Sequence, residues 1–284
     1  MNKNTKSKAM LMAPEVRIYT LYRKMLQGGH LLIAGAQGSG KSCLMESLLV
    51  TALCGIPGNQ TAVVLIDPKR VDYQRFRCFP HVVGYATERR EIIDTMSGVI
   101  RVMNERLDYM VNKGIREYDG PTLFVFIDEL ADLMTDKPFK KRFSPLLQRV
   151  AQMGRAAGIT IIAGTQCCLA SVIDTAIKCN FASRVAMRTA TAQDSRNVIE
   201  QKGAELLPNP RTEGRADCIW RNGMEVTIWQ NLPRYTDDFV AQLKEWWTTD
   251  ACKYIEPAPE APQGAQEAPT KRRGLLARLF GKAA

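Results

Sequence analysis

Along the 284-residue chain, short and almost wholly apolar runs alternate with longer stretches of helical periodicity. "HLLIAG" (30–35), "TAVVLID" (61–67), "TLFVFID" (122–128) and "GITIIAGTQ" (158–166) read as strands buried on both faces, with "SRVAMR" (183–188) a weaker fifth. Such runs belong to parallel sheets covered by helices. Within residues 86–114, Ile92, Ile93, Met96, Ile100, Met103, Leu107 and Met110 recur at helical spacing, which predicts a helix with a core-facing stripe. A second helix is predicted with Ser144 as its cap, Pro145 in its first position and Gly158 closing it. Its apolar set, Leu146, Leu147, Val150, Met153 and Ala157, leaves Arg149, Gln152 and Arg155 on another face. Asn222-Gly223 between two strand-like runs signals a hairpin, and a last helix follows from about Asp237 to Trp247. The expected fold is therefore α/β, with a mainly parallel central sheet flanked by helices and a C-terminal hairpin and helix.

Composition changes beyond residue 254. "IEPAPEAPQGAQEAPT" is rich in Pro, Ala and Glu and reads as a disordered linker over 255–270, followed by a basic amphipathic tail, "KRRGLLARLFGKAA", over 271–284. Residues 1–27 are a lead-in and 28–254 the folded domain. The formal charge is +10, and +8 of it lies in residues 1–254. That balance favours acidic partners, nucleic acid first, although a basic surface without a specific partner fits the charge alone almost as well. The tail has several readings: it lies on an anionic membrane, touches DNA, docks on a recruiting partner, or is a solvated end. Eight cysteines without a C-x-x-C pair, and only two histidines, indicate neither a zinc site nor a disulfide framework, and are expected to be reduced thiols in a cytoplasmic protein. No apolar run reaches the ~20 residues of a membrane span, so a soluble chain is expected.

The chemistry concentrates where strands end. "GAQGSGKS" (35–42) fits G-x-x-x-x-G-K-[ST] between a strand and a helix starting near Cys43. In such a loop backbone N–H groups turn inward around phosphate oxygens, and the helix N-terminus adds partial positive charge. Gly35, Ala36, Gln37, Gly38, Ser39, Gly40, Lys41, Ser42 and Cys43 are the expected nucleotide-binding set. Lys41 would reach the β and γ phosphates of ATP, and the Ser42 hydroxyl would ligate Mg²⁺. Asp128 and Glu129 end the third apolar run: Asp128 is expected to hold Mg²⁺ through water and Glu129 to orient and deprotonate the attacking water, with helix capping the alternative for either acid. Gln166, at the mouth of the fourth run, would open onto the same crevice. There it either contacts the γ-phosphate or lytic water, or satisfies loop backbone groups.

In order along the chain, "HLLIAGAQGSGKS", "LIDPK" (65–69), "FPHVV" (79–83), "VMNERLDYM" (102–110), "FIDELADLM" (126–134), "AQMGRAAGITIIAGTQ" (151–166) and "DSRNVIEQKGAELL" (194–207) resemble the motor domain of FtsK/SpoIIIE DNA translocases. The resemblance covers about residues 28–247. It implies a RecA-like P-loop NTPase fold, a ring of six subunits around double-stranded DNA, and ATP hydrolysis coupled to movement along it. It also implies that Lys41, Ser42, Asp128, Glu129 and Gln166 form the site in cis, with an arginine supplied in trans by a neighbour; Arg155, Arg184 and Arg196 are the candidates. Asp67 would hold loop geometry near the site, while Lys69 pairs with an acid or faces DNA. Cell-division members of the family carry membrane helices upstream and a winged-helix domain downstream, which this sequence lacks. The expectation is thus a stand-alone motor acting in transfer or maintenance of a mobile element. A motor that moves protein and an ATP-switched DNA-bound regulator are the alternatives.

Overall fold

The computed structural model describes residues 13–54, 61–166 and 173–249. The expected linker and tail, and the first part of the lead-in, lie outside the described residues.

In chain order the elements are α1 (Ala13–Gln27), β1 (Leu31–Ala34), α2 (Lys41–Leu53), β2 (Ala62–Ile66), β3 (Val82–Ala86), α3 (Arg89–Lys113), β4 (Leu123–Ile127), α4 (Leu130–Thr135), α5 (Lys137–Met153), β5 (Ile159–Thr165), α6 (Thr175–Lys178), β6 (Ser183–Ala186), α7 (Ala192–Ile199), α8 (Pro210–Glu213), β7 (Cys218–Asn222), β8 (Glu225–Trp229) and α9 (Asp237–Thr249). The strands form one eight-stranded sheet in the order β3-β2-β4-β5-β1-β6-β7-β8. Pairings from β3 through β6 are parallel, and β7 and β8 join antiparallel at one edge. All five expected strands are present.

Alternation along each buried strand separates two cores. In β4, Leu123, Val125 and Ile127 face a cluster built with α3, α4 and α5, while Phe124 and Phe126 face one built with α1, α2 and α9. β1, β2 and β5 divide the same way, which is why their sequences show no polar face. The expected stripe on α3 is seated, with Ile92, Met96 and Met103 fully buried.

Two local expectations change, and one strand is added. First, α5 begins at residue 137 rather than 145, and Pro145 lies inside it. Asp136 is the cap, its side chain accepting from Phe139 N at 3.0 Å, and the helix ends at Met153 with Gly154 following. A proline inside a helix forfeits one backbone hydrogen bond and costs ~3 kcal/mol or more. Phe139 and Phe143, which need the extra two turns to reach the core, offset that cost; both are buried, and their rings stack at 5.4 Å. Second, "VVGYA" forms β3, an edge strand beside β2. Only Ala86 of its five residues is fully buried, so its sequence lacks the apolar run that marks the other strands. Third, the hairpin loop is Gly223-Met224, since Asn222 still pairs with Glu225.

His30 precedes β1 and is 4% exposed, its Nδ1 accepting from Ile161 N at 2.9 Å. Burial, reinforced by the Arg155 charge, lowers its pKa from 6.5 to about 4. The neutral ring therefore contributes stability that is complete above pH 6.5 and is lost as pH falls toward 4, where the unfolded chain binds a proton that the folded one resists. We expect the stability advantage of wild type over His30→Gln in urea unfolding to shrink by roughly 1.4 kcal/mol per pH unit below 6.5. An advantage constant between pH 7 and 5 would show that His30 does not titrate with folding.

Candidate active site

The carboxyl ends of β1, β4 and β5 meet at one point, because these strands are adjacent and parallel. After β1 the chain enters the glycine-rich loop. Gly35 N donates to Thr165 O at 3.3 Å and Ala36 N to Arg188 O at 2.9 Å, which ties the loop's start to β5 and to the segment after β6. α2 starts at Lys41, two residues before the expected point, and so brings Lys41 and Ser42 into its first turn.

Lys41 is 7% exposed and points across the sheet to the end of β4. Its Nζ donates to Asp128 O at 3.2 Å and lies 3.5 Å from Glu129 Oε2 and 3.9 Å from Asp128 Oδ1. Asp128 is 1% exposed and Glu129 2%. Such close approach needs Gly164 on β5: a Cβ there would sit 2.4 Å from Asp128 O and 3.3 Å from Lys41 Nζ. Gln166 is exposed at the end of β5, as expected, and its backbone N donates to Glu129 Oε1 at 2.9 Å. The site residues Lys41, Ser42, Asp128, Glu129 and Gln166 are thus gathered at one place. Capping does not occupy the two acids. Glu129 is the cap residue of α4, yet its side chain makes no cap hydrogen bond.

The segment after β2 supplies two further groups. Asp67 is fully buried, and its Oδ2 accepts from Tyr73 N at 3.1 Å and Tyr85 OH at 3.4 Å, so it holds the turn in shape. That turn delivers Lys69, whose Nζ lies 3.4 Å from Glu129 Oε2 and 3.8 Å from Asp128 Oδ2. Of the two readings open for Lys69, pairing with acids is the one found. It also delivers Asp72, whose Oδ2 accepts from Ser42 Oγ at 3.2 Å. The sequence reading missed Asp72. Its signal was there, an acid in the loop that directly follows a buried strand, but five residues from the strand end it did not stand out.

Both carboxylate oxygens of Asp128 are buried without a hydrogen-bond partner. Burial raises the Asp128 pKa to about 7, against the lowering pull of Lys41, and the nearby Asp72 carboxylate raises it further. Two acceptors facing each other can share only a proton or a cation. Together with the Ser42 hydroxyl, they fit a hard cation such as Mg²⁺. Among the described residues no three His, Cys, Asp or Glu side chains are grouped to hold a metal by themselves. A cation here would complete its shell with phosphate and water oxygens, as Mg²⁺ does in nucleotide sites.

The three trans-arginine candidates separate. Arg184 is committed within its own subunit: its guanidinium donates to Phe181 O at 2.9 Å, Lys178 O at 3.2 Å, Val198 O at 3.3 Å and Glu200 Oε1 at 2.9 Å. It fastens β6 to the ends of α6 and α7. Arg155 is exposed on the turn before β5, with its Cδ packed over Gly29 at the amino end of β1, away from its own glycine-rich loop. Arg196 is exposed on α7 and donates to Gln193 Oε1 at 3.3 Å.

No helix among the described residues is long and apolar enough to cross a membrane. Cys43, Cys54, Cys78, Cys179 and Cys218 are free thiols.

The FtsK/SpoIIIE family model matches residues 5–122. Over 232 residues the chain is 32% identical to the DNA translocase FtsK of Helicobacter pylori (strain J99), covering 76% of this chain and 27% of that protein. Over 193 residues it is 35% identical to the DNA translocase SftA of Bacillus subtilis (strain 168), covering 63% of this chain and 20% of that protein. The chain thus spans about a quarter of the length of the curated relatives it matches. Among solved structures, the pCW3 conjugation coupling protein TcpA in its monomer form with ATPgS superposes with a TM-score of 0.63 at 24% identity, over 76% of this chain and 65% of that one. ATPases 2 and 3 of EssC from Geobacillus thermodenitrificans give a TM-score of 0.65 at 19% identity, over 78% and 44%. Both establish the α/β ATPase fold.

Proposed function

The chain belongs to the FtsK/SpoIIIE family, and from that premise we propose that it is an ATP-hydrolysing motor that binds double-stranded DNA and translocates along it as a homo-oligomeric ring. The observation that carries the proposal is the convergence of Lys41, Ser42, Asp128 and Glu129 on one point, with both Asp128 oxygens buried and lacking a donor. In this reading Lys41 leaves its two carboxylates for the β and γ phosphates when ATP enters the loop. Lys69 stays to balance the acids. Ser42 and Asp128, with Asp72 beside them, would hold Mg²⁺, which would supply positive charge against the phosphates. Glu129 is fixed by Gln166 N through Oε1, and its Oε2, which Lys69 also contacts at 3.4 Å, keeps a lone pair to orient a water and take its proton once Lys41 has left. The Gln166 side chain, exposed at the same mouth, is placed to sense the γ-phosphate. Residues 28–254 form the motor unit in this proposal, six copies make the ring, and Arg155 and Arg196 are the arginines available to a neighbour's γ-phosphate. We extend the proposal to a setting in the cytoplasm, the transfer or maintenance of a mobile element.

DNA contacts of this kind go to phosphates, so they are independent of sequence and sensitive to salt. Duplex DNA is expected to raise steady-state ATP turnover of the purified chain about tenfold at 50 mM salt, and the gain should vanish by 200 mM, a range over which six to ten phosphate contacts lose ~10³–10⁵ in affinity. Turnover indifferent to DNA would remove the translocase reading and favour a protein substrate for the same ATP site.

A further inference from the structure

One cation beside the glycine-rich loop has no task in the reading above. Arg211 is the second residue of the short helix α8 and is exposed. A Cβ built on Gly38 would lie 2.5 Å from Arg211 Nε, 2.9 Å from its Cζ and 3.0 Å from Nη2. The guanidinium therefore rests against the loop backbone at Gly38, whose φ of 76° already demands glycine. A side chain at position 38 would evict it.

The neighbouring contacts show that the backbone is pinned while the guanidinium is not. Asn209 Oδ1 accepts from Arg211 N at 3.1 Å, Asn209 N donates to Glu213 Oε1 at 3.0 Å, and Gly214 closes the turn with φ 68°. The segment then runs on along the loop, for a Cβ built on Gly40 would lie 3.0 Å from Ala216 Cβ. Arg215 is balanced by Asp217 at 3.8 Å. The guanidinium of Arg211 has no hydrogen bond or ion pair among the described residues. A cation is thus held at the outer lip of a loop whose N–H groups collect phosphate oxygens, well inside the ~8 Å over which charges at physiological salt still act on one another. Guanidinium is also the side-chain group whose donors match phosphate two at a time.

We propose that Arg211 is a nucleotide ligand in cis, closing over the lip of the loop at Gly38 and donating to the phosphate chain. The proposal rests on the nucleotide reading of the site and adds a contact from a segment far along the chain. It makes α8 the element that registers whether the loop is filled.

Equilibrium titration of the full chain with fluorescent ATP and ADP analogues tests it, together with the melting temperature of the nucleotide-free protein. Arg211→Ala is expected to weaken binding about 10- to 100-fold, the value of a charge-assisted hydrogen bond. Arg211→Lys, which keeps the charge without the two-donor fork, should recover part of the loss and Arg211→Gln little of it. Arg215→Ala should bind as wild type does, and the melting temperature of nucleotide-free Arg211→Ala should be unchanged, since the residue is exposed. If Arg211→Ala binds within about twofold of wild type while Lys41→Ala fails to bind, the proposal is overturned and the nucleotide site stands. Equal losses in Arg211→Ala and Arg215→Ala would reduce the effect to general surface charge and also overturn it, as would a Gln variant as good as the Lys variant. Wild-type protein that shows no saturable binding overturns the nucleotide site and this contact together.

Discussion

Glu129→Gln is expected to lower ATP turnover by about 10²- to 10⁴-fold, the usual contribution of a positioned general base, while leaving nucleotide affinity equal to that of wild type or higher. Glutamine keeps the size of the side chain, and its amide oxygen can still accept from Gln166 N, the 2.9 Å contact that fixes Glu129. What it loses is the negative charge that lies 3.5 Å from Lys41 Nζ and 3.4 Å from Lys69 Nζ. Both lysines are then freer to meet phosphate, so binding should not suffer. Single-turnover hydrolysis alongside titration with a fluorescent ATP analogue separates the two effects. A variant that hydrolyses within about threefold of wild type would mean that another group takes the proton, well outside the loss a general base implies; Asp128 is the nearest candidate.

The second large effect concerns Lys41→Ala, which should abolish measurable turnover and weaken ATP binding, because on the proposed reading the loop loses the buried cation assigned to the phosphates. Removing one partner of a buried ion pair typically costs 3–5 kcal/mol, yet a smaller loss of stability is expected here. Lys69 remains beside both acids, 38% exposed. Moreover Asp128 is already raised to about 7 by burial, and without Lys41 to pull it down it takes up a proton more readily. A carboxylate whose folded pKa is raised contributes most to stability when protonated, so its contribution declines as pH rises from about 4 to 7. The destabilisation caused by Lys41→Ala in the nucleotide-free protein should accordingly be smaller at pH 6 than at pH 8, measured by urea unfolding. A penalty independent of pH would show that Asp128 stays ionised with or without the lysine.

Much of this site was legible before any coordinates because its parts are local in sequence. The loop at 35–42 and the acid pair 128–129 each lie within a few residues of a buried strand end, and a parallel sheet aligns those ends by construction. The same argument put Gln166 at the mouth of β5, where its backbone N donates to Glu129 Oε1. Its use of a backbone N–H to orient Glu129 was not readable, since every residue has that group and only the register of β4 against β5 selects it. Arg184 shows what the sequence hides. From the sequence its charge looks available to a neighbour, but the turn after α6 and the end of α7 present three carbonyls and a carboxylate around it.

The start of α5 shows how competing local signals are resolved. Asp136 with Pro138, and Ser144 with Pro145, both fit a helix beginning, and propensity does not choose between them. The choice falls to Phe139 and Phe143, which are buried only if the helix starts at the earlier point.

By itself, then, the sequence determined the parallel sheet, the glycine-rich loop and the acids opposite it, because two-sided burial and strand-end position are written in consecutive residues. Tertiary structure alone decided the partners of Lys69, the arrival of Asp72 beside Ser42, the confinement of Arg184 and the seat of Arg211 on Gly38. Each of these joins segments far apart in the chain, and the energy of a charge is set by what surrounds it in space, which no local pattern of residues encodes.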